Sequence, residues 1–220
     1  MSEIQPWWQL TQHAIKRNDW PMAEGALRRL LLLAPGNPEL MDLLSYALLM
    51  QADFMACELV LRDALAQGSR SFWTPHKLGD ALRGQQRMDE AVAAYEQALS
   101  WGSDSPLTAR NLLQVLDGLD PGLPLDRLEV WAATIDSASL NWELPPPWLA
   151  GACEAALTST GLELAHWLQS RGCPDPAIRQ RALQDSVLRF DLDRGLALAE
   201  GPLRRRLLEL LSVPAPLELA

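Results

Sequence analysis

Cysteine is scarce in this chain: Cys57, Cys153 and Cys173 are the only three in 220 residues. They lie far apart and are odd in number, which excludes a disulfide framework, and without a C-x-x-C pair nothing points to a zinc site. Buried free thiols in a reducing compartment are the expectation. Long apolar runs are also missing. "LRRLLLLAP" is far shorter than the roughly 20 residues a bilayer crossing takes. The opening "MSEIQPWWQLTQ" lacks the basic start and apolar stretch of a secretory signal. A soluble, cytoplasmic protein is therefore expected, away from membranes. An excess of positive charge is lacking as well: the formal net charge is -9 and the pI near 4.8. That argues against nucleic acid as a general partner, which needs a basic face.

The motifs of catalysis are lacking too. No G-x-G-x-x-G or P-loop pattern occurs, and "GLDPGLPLD" has no Lys or Ser/Thr for a phosphate cradle. His13, His76 and His166 are widely separated, with no H-E-x-x-H, so a structural or exposed role is expected for each. Ser159 and Ser186 lack a nucleophile elbow. Arg204, Arg205 and Arg206 read as a solvated helix face. No enzyme activity, cofactor or metal is expected. Period-two alternation is absent over any useful length, so the fold class expected is all-α.

What the chain does have is an internal repeat. Rows of 34 residues, 4–37, 38–71 and 72–105, align without a gap. Columns hold Leu10, Leu44 and Leu78; then Ala14, Leu48 and Leu82; then Trp20, Phe54 and Met88 at a turn. Ala23, Cys57 and Ala91 follow, all small, then Leu27, Leu61 and Tyr95, then Leu30, Ala64 and Ala98, and Leu31, Leu65 and Leu99. Each row reads as two helices with apolar spacings of three and four. Two antiparallel helices in so short a unit must pack closely. Gly79 and Ala91 let the backbones approach, and Ser45 and Thr11 take the Gly79 place in the earlier rows.

This pattern resembles the tetratricopeptide repeat family. In the third row the resemblance rests on Leu78, Gly79, Ala81, Leu82, Met88, Ala91, Tyr95, Ala98 and Leu99, with Asp89 and Glu90 before the small residue. In the first row Trp7, Leu10, Ala23 and Pro35 carry it. The second row departs, with Cys57 for Ala and Met41 for Trp, and in the third Pro75 stands at the usual Trp place. The resemblance implies an α-solenoid of antiparallel helix pairs in a right-handed superhelix.

Beyond residue 105 the pattern decays. Leu112 keeps the phase of Leu78, and 106–137 reads as a degenerate fourth repeat. Residues 138–147 form a Pro-rich loop through Pro145, Pro146 and Pro147. Divergent helical pairs or a cap follow over 148–212, then a tail over 213–220. Gly151, Ala152 and Ala155 again suggest close packing.

The resemblance also implies a site, since first helices of such repeats line a concave surface where ligands bind. Carried over residue by residue, the partner-binding groove holds Trp8, Gln12 and Lys16 from the first row, with Gln5 and Ile15. The second row gives Asp42, Tyr46 and Met50, with Glu39 and Leu49. The third gives Trp73, His76, Asp80 and Arg83, and the fourth Arg110 and Gln114, with Asp117. The family's carboxylate clamp of Lys, Arg and Asn is not present, Lys77 and Arg110 being too little. The set suits a peptide with aromatic or aliphatic anchors. The alternative is that the C-terminal helices cover these residues. Of nine Trp, Trp7 and Trp20 fall at core columns; Trp8, Trp73, Trp101, Trp142 and Trp148 do not.

The function expected is a non-catalytic scaffold or adaptor for another protein or peptide. The alternatives are an accessory module beside a glycosyl-, sulfo- or methyltransferase, or a self-associating homo-oligomer. The excess of Arg over Lys, with abundant Ala and Leu, fits a bacterial gene.

Overall fold

The computed structural model describes residues 3–120, 122–134, 141–158, 163–188 and 191–212. The expected tail, residues 213–220, lies outside them, as do 135–140 at the end of the degenerate repeat and the start of the Pro-rich loop, and Ser159. The described chain is helical with no strand. Three hairpins come first: α1 (Ile4–Lys16) with α2 (Trp20–Leu33), α3 (Pro38–Met50) with α4 (Phe54–Ala66), and α5 (Trp73–Gly84) with α6 (Met88–Ser100). Then come α7 (Pro106–Leu119), α8 (Leu123–Ala133), α9 (Pro147–Thr158), α10 (Glu163–Ser170), α11 (Pro176–Leu188), α12 (Leu192–Leu198) and α13 (Gly201–Ser212). In the first half each second helix packs on the next first helix, α2 on α3, α4 on α5 and α6 on α7, which makes an α-solenoid.

The turns inside the hairpins repeat in detail. Asn18, Ala52 and Gln86 are left-handed, with φ of 56°, 57° and 62°, and each stands one repeat from the next. The amide that follows bonds back to Ala14 O, Leu48 O or Leu82 O at 2.9–3.0 Å and closes the helix. Asp19 then caps α2 by accepting from the Met22 amide, and Asp53 caps α4 by accepting from that of Ala56, both at 3.1 Å. Arg87 holds the third cap place and makes no cap bond. Its guanidinium instead joins Glu58 at 2.8 Å to Glu90 at 2.6 Å, stitching α4 to α6.

The small columns are where backbones meet rings. A Cβ on Gly79 would lie 2.7 Å from the Tyr95 ring, and one on Gly84 would lie 2.5 Å from that of Phe54. Thr11 and Ser45 fit the Gly79 place by turning their hydroxyls onto their own helices, to Trp7 O at 2.9 Å and Asp42 O at 2.7 Å. Cys57 shares this packing: its thiol donates to Ser45 O at 3.3 Å, and burial pushes its pKa up to about 12.

Two hydrophobic cores result. One runs from Ala14 in α1 to Leu116 in α7; the other gathers Leu113, Leu128, Leu149, Leu164 and Ile178 from α7 to α11. Helix α7 belongs to both, through Leu112, Val115 and Leu116 on one side and Leu113 on the other. It packs against α8 and also against α9. The seam with α9 is backbone to backbone: a Cβ on Gly151 would meet Pro106 O at 2.3 Å and the Ala109 methyl at 2.8 Å. Trp142 pins the end of the Pro-rich loop by donating to Arg171 O at 3.3 Å, and Trp148 packs on Trp131 with ring centroids 5.7 Å apart.

Candidate functional site

The first helices stand side by side, α3 against α5 and α5 against α7. Their shared face is where the sequence places the groove. Three of its large residues are exposed there: Tyr46 (42%), Met50 (49%) and Trp73 (36%). Gln12 and Lys16 of α1 are exposed, as are Gln5 and Glu39, while Trp8, Ile15 and Leu49 are half-buried against the core. Tyr46 is held by the edge of Trp20, at 5.4 Å between centroids. Trp73 leans on Phe72 and His76, at 4.9 and 5.1 Å. Tyr46 and Trp73 are thus fixed in direction by their ring neighbours, an arrangement that lowers the ordering cost of any contact made there.

The polar members of the set lie deeper. His76 is only 4% exposed. Its Nδ1 lies 2.9 Å from Thr108 Oγ1 and its Nε2 lies 3.4 Å from Asp80 Oδ2. Asp80 also accepts from the Tyr95 hydroxyl at 2.6 Å and the Asn111 amide at 2.9 Å, with Arg83 at 3.5 Å. Burial works to raise the Asp80 carboxyl, but hydrogen bonds from His76 and Tyr95 and the nearby His76 and Arg83 charges outweigh it, leaving the group below the usual carboxylate range. Tyr95 is pushed up, first by burial and then by the Asp80 charge. His76 and Asp80 therefore form an internal joint between α5, α6 and α7, and a ligand on the face meets Trp73 above it. Asp42 is engaged too, through Lys77 Nζ at 2.5 Å from its carboxylate and 3.1 Å from its carbonyl.

At the fourth row the face is covered. Arg110 reaches Glu154 at 3.3 Å, and Gln114 donates to Thr158 Oγ1 at 2.8 Å, both on α9. Gly151 lets α9 lie against the first turns of α7. The open part of the face thus spans α1, α3 and α5, and the residues expected from the fourth row face α9. The Lys77–Asp42 pair and the Asp80–Tyr95–Asn111 joint escaped the sequence reading. Their one signal is polar residues beside the apolar columns, as at Asp80 and Asn111, which stand 31 positions apart on adjacent first helices.

Among the described residues no group of three or more His, Cys, Asp or Glu is arranged to hold a metal ion. No helix among them is long and apolar enough to cross a membrane.

No family model matches the sequence, and no curated protein matches it. Solved structures do. The fold is similar to that of the MamA protein, at a TM-score of 0.59 and 14% identity, over 86% of this chain and 94% of that one. It is also similar to an O-GlcNAc transferase mutant from Thermobaculum terrenum, at a TM-score of 0.51 and 22% identity, over 60% of this chain. This chain spans only 26% of that transferase chain. These likenesses are of fold, and they agree with the tetratricopeptide-type α-solenoid that the repeat columns resemble.

Proposed function

We propose that the chain is a non-catalytic scaffold that holds a polypeptide segment of a partner protein on the first-helix face of α1, α3 and α5. The observation that carries this reading is the exposure of Tyr46, Met50 and Trp73 on adjacent first helices, with Tyr46 and Trp73 held by ring contacts behind them. Exposed aromatic anchors of this kind supply most of the energy of protein interfaces. The neighbouring charges are largely engaged: Asp42 with Lys77, and Asp80 with its four partners. Net charge of -9 favours protein over nucleic acid as the partner. Composition supports a bacterial cytoplasmic setting.

The test is affinity capture with mass spectrometry, wild type beside a Tyr46→Ala, Trp73→Ala double variant whose helix content is first checked by circular dichroism. A protein enriched by wild type and lost with the variant supports the reading. The same protein held equally by both overturns it. A second reading, an accessory module beside a glycosyl-, sulfo- or methyltransferase, draws on the likeness to the O-GlcNAc transferase over 60% of this chain. On that reading the captured protein is a transferase.

A further inference from the structure

The junction between the first and second hairpins departs from the two that follow. At the later junctions a hydroxyl pair ties the link to the next helix: Ser69 with Thr74, and Ser103 with Thr108, each at 2.8 Å. One repeat earlier those places hold Pro35 and Leu40. The backbone departs as well. Gly68 and Gly102 are left-handed, at φ of 88° and 84°, whereas Ala34 in their column is at -137° and the left-handed residue moves on to Gly36, at 72°. An apolar pocket of about 210 Å³ opens here between α1, the end of α2 and the start of α3. Ile4, Trp8, Leu30, Ala34 and Leu40 line it, with Asn37 and Glu39 at its edge.

The mouth also differs from its counterpart. The column that places Trp73 over the second junction places Glu39 over the first. Glu39 is exposed and makes no ion pair with any described residue, and Glu3 stands just before Ile4. The pocket floor is closed by Leu30 (1% exposed) and Leu40 (7%), while Ile4 at the opening is 42% exposed. Cavities of about 150 Å³ lined by Leu, Ile and Phe stay dry and take a benzene ring. This one has room for one large apolar side chain, and its single charged edge is negative.

We infer that this pocket takes a bulky apolar side chain of the partner segment, with a lysine or arginine next to it pairing with Glu39. The inference rests on the reading of the first-helix face as a polypeptide site and adds the chemistry of what binds there. Complementary charge sets the orientation and the encounter rate more than the depth of binding; the apolar side chain supplies the affinity.

The test is selection of a random heptapeptide library on the full-length chain, followed by calorimetry of the most enriched peptide. Enriched peptides are expected to carry Leu, Met, Ile or Phe beside Lys or Arg. Ala34→Leu, which fills the pocket, is expected to weaken that peptide by about tenfold or more. Glu39→Lys is expected to weaken it by about two- to fivefold at low salt and to remove the basic neighbour from a repeated selection. Both variants are checked for unchanged helix content. Peptides insensitive to both changes yet weakened by Tyr46→Ala with Trp73→Ala overturn this inference and leave the first-helix reading standing. A selection that enriches nothing overturns it too, and the affinity capture then decides the broader reading separately. Competition by a peptide copying residues 213–220 would make the chain's own tail the occupant and also overturn it.

Discussion

At the residue scale, the repeat is written in strained and missing side chains. Ala52 is a left-handed alanine, exposed at the turn after α3. That conformation costs a residue with a Cβ about 1 kcal/mol, which glycine escapes. Ala52→Gly is therefore expected to raise stability by about 0.5–1 kcal/mol, measured by urea unfolding. Gly79→Ala is expected to do the reverse, because its Cβ would sit 2.7 Å from the Tyr95 ring. The ring is fully buried, so overpacking should cost about 1–3 kcal/mol in the same assay. Asp80 gives a pH signature. Its carboxyl lies below its unfolded value, so the stability it contributes is present above the unfolded pKa and is lost as pH falls through the folded one. Asp80→Asn should flatten the acid limb of a stability–pH profile in that window; an unchanged acid limb would show that the joint carries no such linkage.

At the element scale, what the sequence made legible was the hairpin and what it hid was the neighbour. The columns Leu10–Leu44–Leu78 and Ala23–Cys57–Ala91 place two helices in each row because burial acts on the repeating face. The caps Asp19 and Asp53 follow the same period. The position of α9 does not follow from any such pattern. Amphipathicity shows which face of α7 is apolar, not which helix will cover its other side, and Gly151 carries that information only once Pro106 O is known to lie against it. The consequence for the site is direct, since Arg110 and Gln114 have the right column but face α9. His76 likewise has the right helix and lies beneath the face, because Thr108 and Asp80 draw both ring nitrogens inward. Gly151→Ala is expected to push α9 from α7 and lower stability by about 1–3 kcal/mol. Arg87→Ala, which removes solvent-screened ion pairs, is expected to cost less than Gly151→Ala does. Thermal unfolding of the two variants side by side checks that ordering.

At the scale of the whole molecule, the two cores divide the labour. The core from α1 to α7 builds the regular solenoid that displays Tyr46, Met50 and Trp73. The second, from α7 to α11, covers the fourth first-helix and ends the open face there. In a solenoid each unit is stabilised by its neighbours, so a helix that covers α7 both limits the open first-helix face and protects its end. The second helices offer a control surface: Met55 (72% exposed) and Leu59 (71%) are more exposed than any of the proposed anchors. Exposure alone therefore does not distinguish the faces; the ring contacts that hold Tyr46 and Trp73 do. The measurement that tests this most directly is the affinity of the captured partner for three chains: wild type, Tyr46→Ala with Trp73→Ala, and Met55→Ala with Leu59→Ala. On the proposed reading, at least about a tenfold loss is expected for the first pair and little change for the second. Loss with Met55 and Leu59 alone would move the binding face to the second helices and contradict it.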